Sequence, residues 1–142
     1  MYGGVNGHNR YLETAVETAS PARLIVMLYD GAIRFINEAA YAMQQRDYET
    51  QNAKLQRAQK ILAELISSLD FDKGGEIAEN LFRLYTYMYN QLVEANLQDS
   101  VERAQHVVNL LSELREAWDT IASQGEAVPA TPIAPGKVSL RG

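Results

Sequence analysis

Apolar residues recur at intervals of three and four along most of the chain, which is the period of an amphipathic helix. The first such stretch begins at Ser20, a good N-cap, and Pro21, which fits the first helical position, and it fades after Gln44. Its apolar positions form two adjacent stripes that leave only a narrow polar strip. A helix with this much apolar surface is either central in its domain or covered by something else.

Two further helices are predicted downstream. Asp47 can cap a second helix, and the apolar positions of that helix follow bundle spacing from Leu55 to Leu69. Lys73, Gly74 and Gly75 are expected to end this region, because paired glycines interrupt a helix. A third helix is then predicted to start at Glu76.

A fourth helix completes the pattern. Asp99 and Glu102 have the spacing of a capping box and are expected to mark its start, and its apolar stripe ends at Ser123. No segment alternates apolar and polar residues over the length of a strand, and the connections are short. The predicted fold is therefore all-α, an antiparallel up-down-up-down four-helix bundle with a short N-terminal helical segment.

The bundle is expected to occupy residues 20–123. Residues 1–19 are predicted to be a flexible N-terminal segment, in which Tyr11, Leu12 and Val16 form a short amphipathic turn that cannot hold as a helix alone. Residues 124–142 contain three prolines and three glycines without any helical period, and are predicted to be a disordered tail.

Composition narrows the possible partners. The chain of 142 residues carries a formal charge of -5 and no basic cluster along its sequence, which argues against nucleic acid as a partner. It has no cysteine, so disulfides and thiolate metal sites are excluded. The longest apolar run, Leu24 to Tyr29, is far shorter than the roughly 20 residues that span a bilayer, and no signal peptide is visible. We expect a cytoplasmic protein without membrane insertion.

Candidate catalytic or metal-binding residues are few. A di-iron bundle needs two Glu-x-x-His pairs, whereas the only histidines are His8 and His106, and Glu102 precedes His106 by four positions. No metal, cofactor or enzymatic activity is predicted. A phosphotransfer bundle that uses His106, with Arg103 one turn away, remains an alternative.

The tyrosines allow two interpretations. Tyr11, Tyr29, Tyr85 and Tyr89 each combine an apolar ring with a polar tip, as residues at a transiently covered surface often do. They are equally compatible with the rim of an ordinary core.

Several short motifs occur in a fixed order. They are Thr18-Ala19-Ser20-Pro21, Met27-Leu28-Tyr29-Asp30-Gly31-Ala32, Gly74-Gly75-Glu76-Ile77-Ala78, Asn80-Leu81, Leu84-Tyr85, Tyr87-Met88, Ala95-Asn96 and Ala117-Trp118. In this order, from Tyr11 to Ala122, the chain resembles the FliS family of flagellin export chaperones.

The resemblance implies a cytosolic helical bundle that binds the C-terminal segment of flagellin. Such a chaperone keeps flagellin from polymerising early and presents it to the export gate of the flagellar type III secretion system. The family's N-terminal segment, here with Tyr11 and Val16, is implied to lie over part of the flagellin-binding surface and to move aside.

The apolar pattern and the resemblance together predict a partner-binding surface, because a disordered client can lay amphipathic helical turns into grooves between bundle helices. The predicted residues are Tyr11, Leu12, Val16, Ile25, Tyr29, Ile33, Tyr85, Tyr89 and Leu92. One alternative is a self-associating helical adaptor, in which the surplus apolar surface forms a homodimer contact.

Overall fold

A computed structural model of the chain describes residues 19–124. The described part consists of four α-helices and contains no β-strand, which confirms the predicted all-α bundle. The helices are α1 (Pro21–Gln44), α2 (Tyr48–Ser67), α3 (Phe71–Gln98) and α4 (Val101–Ser123). Nearly all of the predicted N-terminal segment and C-terminal tail lies outside the described residues.

The four helices form a ring around one apolar core. α1 packs against α2 and α4, and α3 packs against the same two helices, so α1 and α3 lie diagonally opposite each other. Short connections make successive helices antiparallel. The large side chains fully buried at the centre come from all four helices and include Ile25, Leu28, Ile36, Leu55, Leu62, Leu65, Met88, Leu92 and Leu111.

The strongly apolar first helix is central in the packing. Ten residues of α1 are buried, and both of its apolar stripes contribute to the core. Gly31 lets α2 approach closely, because a Cβ at this position would lie 3.3 Å from Cδ1 of Ile61. Packing within the bundle therefore buries most of the apolar surface of α1.

Two of the predicted N-caps are confirmed and one is wrong by a residue. The side chain of Ser20 accepts a hydrogen bond from the Arg23 amide at 3.2 Å, and Asp47 caps α2 in the same way. The cap of α4 is Ser100 rather than Asp99. Asp99 instead ends α3 in the left-handed conformation, with φ of 52°, which an Asp tolerates better than most residues.

The start of the third helix also differs from its prediction. α3 begins at Phe71, because Asp70 accepts a hydrogen bond from the Lys73 amide at 3.0 Å and so caps a helical turn before the glycines. Gly75 then interrupts the helix, with φ of 51° and ψ of -127°, a conformation that favours glycine. The predicted break is thus a kink inside α3, and Glu76 follows it.

Candidate functional site

Four of the predicted partner-binding residues lie in the bundle core. Ile25, Tyr29, Tyr85 and Leu92 are each 0% exposed, which corrects the expectation that they face outward or lie at groove edges. The same helical spacing of apolar residues can face either a binding groove or the core, and in this bundle these four side chains lie in the core. Three further predicted residues lie outside the described part of the chain: Tyr11, Leu12 and Val16.

Tyr29 and Tyr85 form a buried hydrogen-bonded pair between the two diagonal helices. Their hydroxyl oxygens are 2.6 Å apart, and their ring centroids are 6.4 Å apart. Burial raises the pKa of Tyr85 to about 12 and the pKa of Tyr29 well above its ordinary value. Both hydroxyls therefore stay protonated at neutral pH, and one donates a hydrogen bond to the other inside the core.

Tyr29→Phe should lower the free energy of unfolding by about 1–3 kcal/mol, because it leaves the Tyr85 hydroxyl buried without its partner. Replacing both tyrosines with Phe should restore part of that loss. Urea denaturation of the two single variants and the double variant measures the coupling. Tyr87→Phe, at an exposed tyrosine, is the matched control. Additive losses in the double variant would contradict the pairing.

Tyr89 lies in a groove between α2 and α3. The α2–α3 groove has a volume of about 470 Å³. Its lining residues are Asn52, Gln56, Gln59, Lys60, Ala63, Tyr89, Val93, Asn96 and Leu97. The α2 wall is mostly polar amides, whereas the α3 wall is mostly apolar, so the groove can accept an amphipathic segment.

The apolar wall belongs to a longer line of side chains on α3. Phe82, Tyr89, Val93 and Leu97 follow spacings of seven, four and four, which place them on one side of the helix. Phe82 is 43% exposed and Leu97 is 74% exposed, while the other two are half-buried. We call these four residues the α3 apolar ridge. Extending the spacing from Tyr89 toward the end of α3 would have found Val93 and Leu97 from the sequence.

Ile33 lines a second depression, which lies over the outer surface of α1. This α1 cleft has a volume of about 730 Å³ and is bounded by the start of α2. Its lining residues are Asp30, Ile33, Arg34, Asn37, Glu38, Tyr41, Ala42, Gln45, Asp47, Thr50 and Lys54. Apolar side chains therefore lie beside charged ones in this cleft.

The phosphotransfer and metal-binding hypotheses both depend on His106. This histidine is exposed, and its Nε2 atom lies 3.0 Å from the hydroxyl of Tyr87. Arg103 hydrogen-bonds to Gln91 and Gln98. Between residues 19 and 124, no three His, Cys, Asp or Glu side chains are grouped as a metal site would require.

A helix that crosses a bilayer needs about 20 consecutive, predominantly apolar residues. Among the described residues, none of the four is both long and apolar enough to span one.

The sequence of the chain is similar to those of flagellar secretion chaperones. The family model described as Flagellar protein FliS matches residues 4–125. The chain is 41% identical over 112 residues to the flagellar secretion chaperone FliS of Salmonella typhimurium, covering 78% of this chain and 83% of that protein. It is 39% identical over 111 residues to the chaperone of the same name from Campylobacter jejuni, covering 78% and 87%. The corresponding protein of Vibrio cholerae is 30% identical over 134 residues, covering 94% and 98%.

Proposed function

The chain belongs to the FliS family of flagellar secretion chaperones, which is not an enzyme family, and we propose that it binds the disordered C-terminal segment of flagellin. It acts in the cytoplasm, prevents premature polymerisation of flagellin and delivers it to the export gate of the flagellar type III secretion system. The client, the gate and the compartment come from the resemblance of the sequence to this family.

The observation that carries the proposal is the α3 apolar ridge beside the α2–α3 groove. From Phe82 to Leu97 the ridge spans 15 residue steps, or about 22 Å at about 1.5 Å per residue. A client helix of about four turns matches this length. Its apolar face would pack on the ridge, and its polar flank would meet the amides of Gln56 and Gln59 on α2.

This mode of binding explains both protection and release. While the client's apolar face lies on the chaperone, it is not available to other flagellin molecules. Because the client must become ordered as it binds, part of the interaction free energy is offset, and the complex stays reversible despite a large contact area. Reversibility suits a chaperone that must hand its client to an export gate.

The predicted N-terminal segment, residues 1–19, is proposed to lie over part of this surface and to move aside for the client. Tyr11, Leu12 and Val16 are the residues that would make this contact. In the described part of the chain, Tyr89 remains a proposed flagellin-binding residue, and the ridge adds Phe82, Val93 and Leu97. Ile33 remains a proposed partner-binding residue, but it lies in the α1 cleft and not in this groove.

Isothermal titration with a peptide of the flagellin C-terminal segment tests the proposal. We expect saturable binding with a negative heat-capacity change, because apolar surface is buried. The control is the same peptide with the apolar face of its helical segment replaced by serine, which should bind much more weakly. Absence of saturable binding would reject the proposed client. Sedimentation of the free chain tests the homodimer alternative, which a stable dimer that resists the peptide would favour.

A further inference from the structure

Three cationic side chains from two helices surround the ring of Phe35. The Cζ atom of Arg34 lies 4.7 Å from the ring centroid. The Nζ atom of Lys54 and the Cζ atom of Arg57 each lie 5.6 Å from it. We call these four residues the Phe35 cationic cluster. α1 supplies Arg34 and Phe35, and α2 supplies the other two, so the cluster exists only in the folded bundle.

The charge of this cluster is only partly balanced. Lys54 pairs with Glu38 at 3.1 Å. Arg34 and Arg57 are exposed and form no ion pair with any residue in the described range. All three cationic centres lie within 5.6 Å of one ring centroid, so no two of them are more than about 11 Å apart, a distance comparable with the screening length of about 8 Å at physiological salt. Their mutual repulsion is therefore only partly screened, and a bound anion would relieve it.

The surrounding sequence accentuates the local positive charge. α2 carries Lys54, Arg57 and, on its α3 flank, Lys60, and no acidic residue occurs on this helix between Glu49 and Glu64. The chain as a whole has a formal charge of -5. This part of α2 is thus positively charged, whereas the chain as a whole is negatively charged. The linear sequence nevertheless contains no run of basic residues.

An apolar depression adjoins the cations. Arg34 and Lys54 also line the α1 cleft, together with the apolar side chains of Ile33, Tyr41 and Ala42 and the acidic side chains of Asp30, Glu38 and Asp47. Each of these three carboxylates already has a partner in the fold: Asp30 pairs with Arg115, Glu38 pairs with Lys54, and Asp47 accepts a hydrogen bond from the Thr50 amide. Tyr41 is 65% exposed, so its ring is available to a partner. The surface therefore offers cations for carboxylates and a neighbouring cleft for an apolar side chain.

We propose that the Phe35 cationic cluster and the α1 cleft together bind an acidic segment of a partner protein. The segment places carboxylates on Arg34 and Arg57 and an apolar side chain in the cleft. This site lies on the α1 flank of α2, whereas the α2–α3 groove lies on the α3 flank, so an acidic partner and a client can bind at the same time.

The two terminal segments of the chain do not have the matching charge. Residues 125–142 contain one acidic residue against two basic ones, and residues 1–18 contain two acidic residues against one arginine. Neither segment has the excess of carboxylates that would balance the two arginines. The charge pattern therefore favours a separate acidic partner.

Fluorescence anisotropy with a labelled peptide, Asp-Glu-Leu-Asp-Asp-Phe-Glu-Glu-Leu, tests this proposal. We expect saturable binding that weakens about tenfold or more in the double variant Arg34→Glu/Arg57→Glu, since each attraction becomes a repulsion. Arg83→Glu, at an exposed arginine of α3 whose hydrogen bond is to Asn80, is the matched control and should bind the peptide nearly as the unchanged chain does. The double variant should still bind the flagellin peptide, which separates this site from the client groove.

Several results would overturn the proposal. One is the absence of saturable binding. Another is a loss of binding free energy in Arg83→Glu that is half or more of the loss in the double variant, which would show a general charge effect because the control reverses one charge and the double variant reverses two. Binding of the chain to phosphatidylglycerol vesicles that the double variant loses, without binding of the peptide, would assign the surface to a membrane. A dimer of the free chain that the double variant dissociates would assign it to a second copy. Circular dichroism of each variant establishes that it is folded.

Discussion

Ile25→Asp should unfold most of the bundle at room temperature. Ile25 is fully buried on α1, the helix that packs against both α2 and α4. Truncating a buried isoleucine typically costs about 2–5 kcal/mol, and a buried unpaired carboxylate adds several kcal/mol more. Because a domain is stable by only about 5–15 kcal/mol, the sum removes most or all of that stability. Circular dichroism should show loss of helical signal and of the cooperative thermal transition.

Ile33→Asp is the matched control for this experiment. Ile33 is on the same helix, but it is half-buried and lines the open α1 cleft, so a carboxylate there can reach water. This variant should keep its helical signal and a cooperative transition. If Ile25→Asp were as helical and as stable as Ile33→Asp, the placement of Ile25 in the core would be wrong.

Local sequence signals were sufficient to predict the fold class and most of the helices. A cap such as Ser20 or Asp47 acts on amides within its own first turn, so both the signal and its effect are local. The apolar period is local in the same sense, since it reports which side of each helix is buried. Four such helices with short connections leave few arrangements other than an antiparallel bundle.

Two helix boundaries were wrong because neighbouring residues offered competing signals. Asp99 and Ser100 are both good caps, and the choice between them follows from how α3 ends, with Asp99 in the left-handed conformation. At the start of α3, Asp70 caps a turn that the glycines had seemed to exclude. Gly75 then permits a kink instead of a complete break.

The candidate site was harder to predict because it depends on contacts between helices. Tyr29 and Tyr89 are the same residue type at apolar positions, yet only Tyr29 finds a hydroxyl partner in the core, on the diagonal helix. Which tyrosine is buried follows from the position of Tyr85 across the bundle. The helical period gives no information about such a pairing.

The clustering of basic side chains was not predicted either, because it also depends on contacts between helices. The sequence contains no basic run, so no basic cluster was expected. Folding brings Arg34 of α1 to the same ring as Lys54 and Arg57 of α2 and creates a small one. Net charge and linear spacing cannot reveal cations that gather from two separate helices.

Leu97→Asp should weaken binding of the flagellin C-terminal peptide by roughly 30- to 150-fold. Leu97 is 74% exposed at the end of the α3 apolar ridge, so the folded chaperone should tolerate the change. Burying a leucine of this kind is worth about 1.5–3 kcal/mol, and the proposed client helix would lose that contribution. It would also bring its apolar face against a carboxylate. At about 1.4 kcal/mol per tenfold change, a loss of 2–3 kcal/mol gives the expected range. Isothermal titration measures the affinity directly.

Ile77→Asp distinguishes the ridge from exposed apolar surface in general. Ile77 is 56% exposed and belongs to the same helix, but the 20 positions between it and Leu97 rotate it by about 200° at about 100° per residue. It therefore lies on the opposite side of α3, and its substitution should leave peptide affinity nearly unchanged. If both variants lost affinity equally, the peptide would not be bound along the ridge. If neither did, the client would be held by another surface.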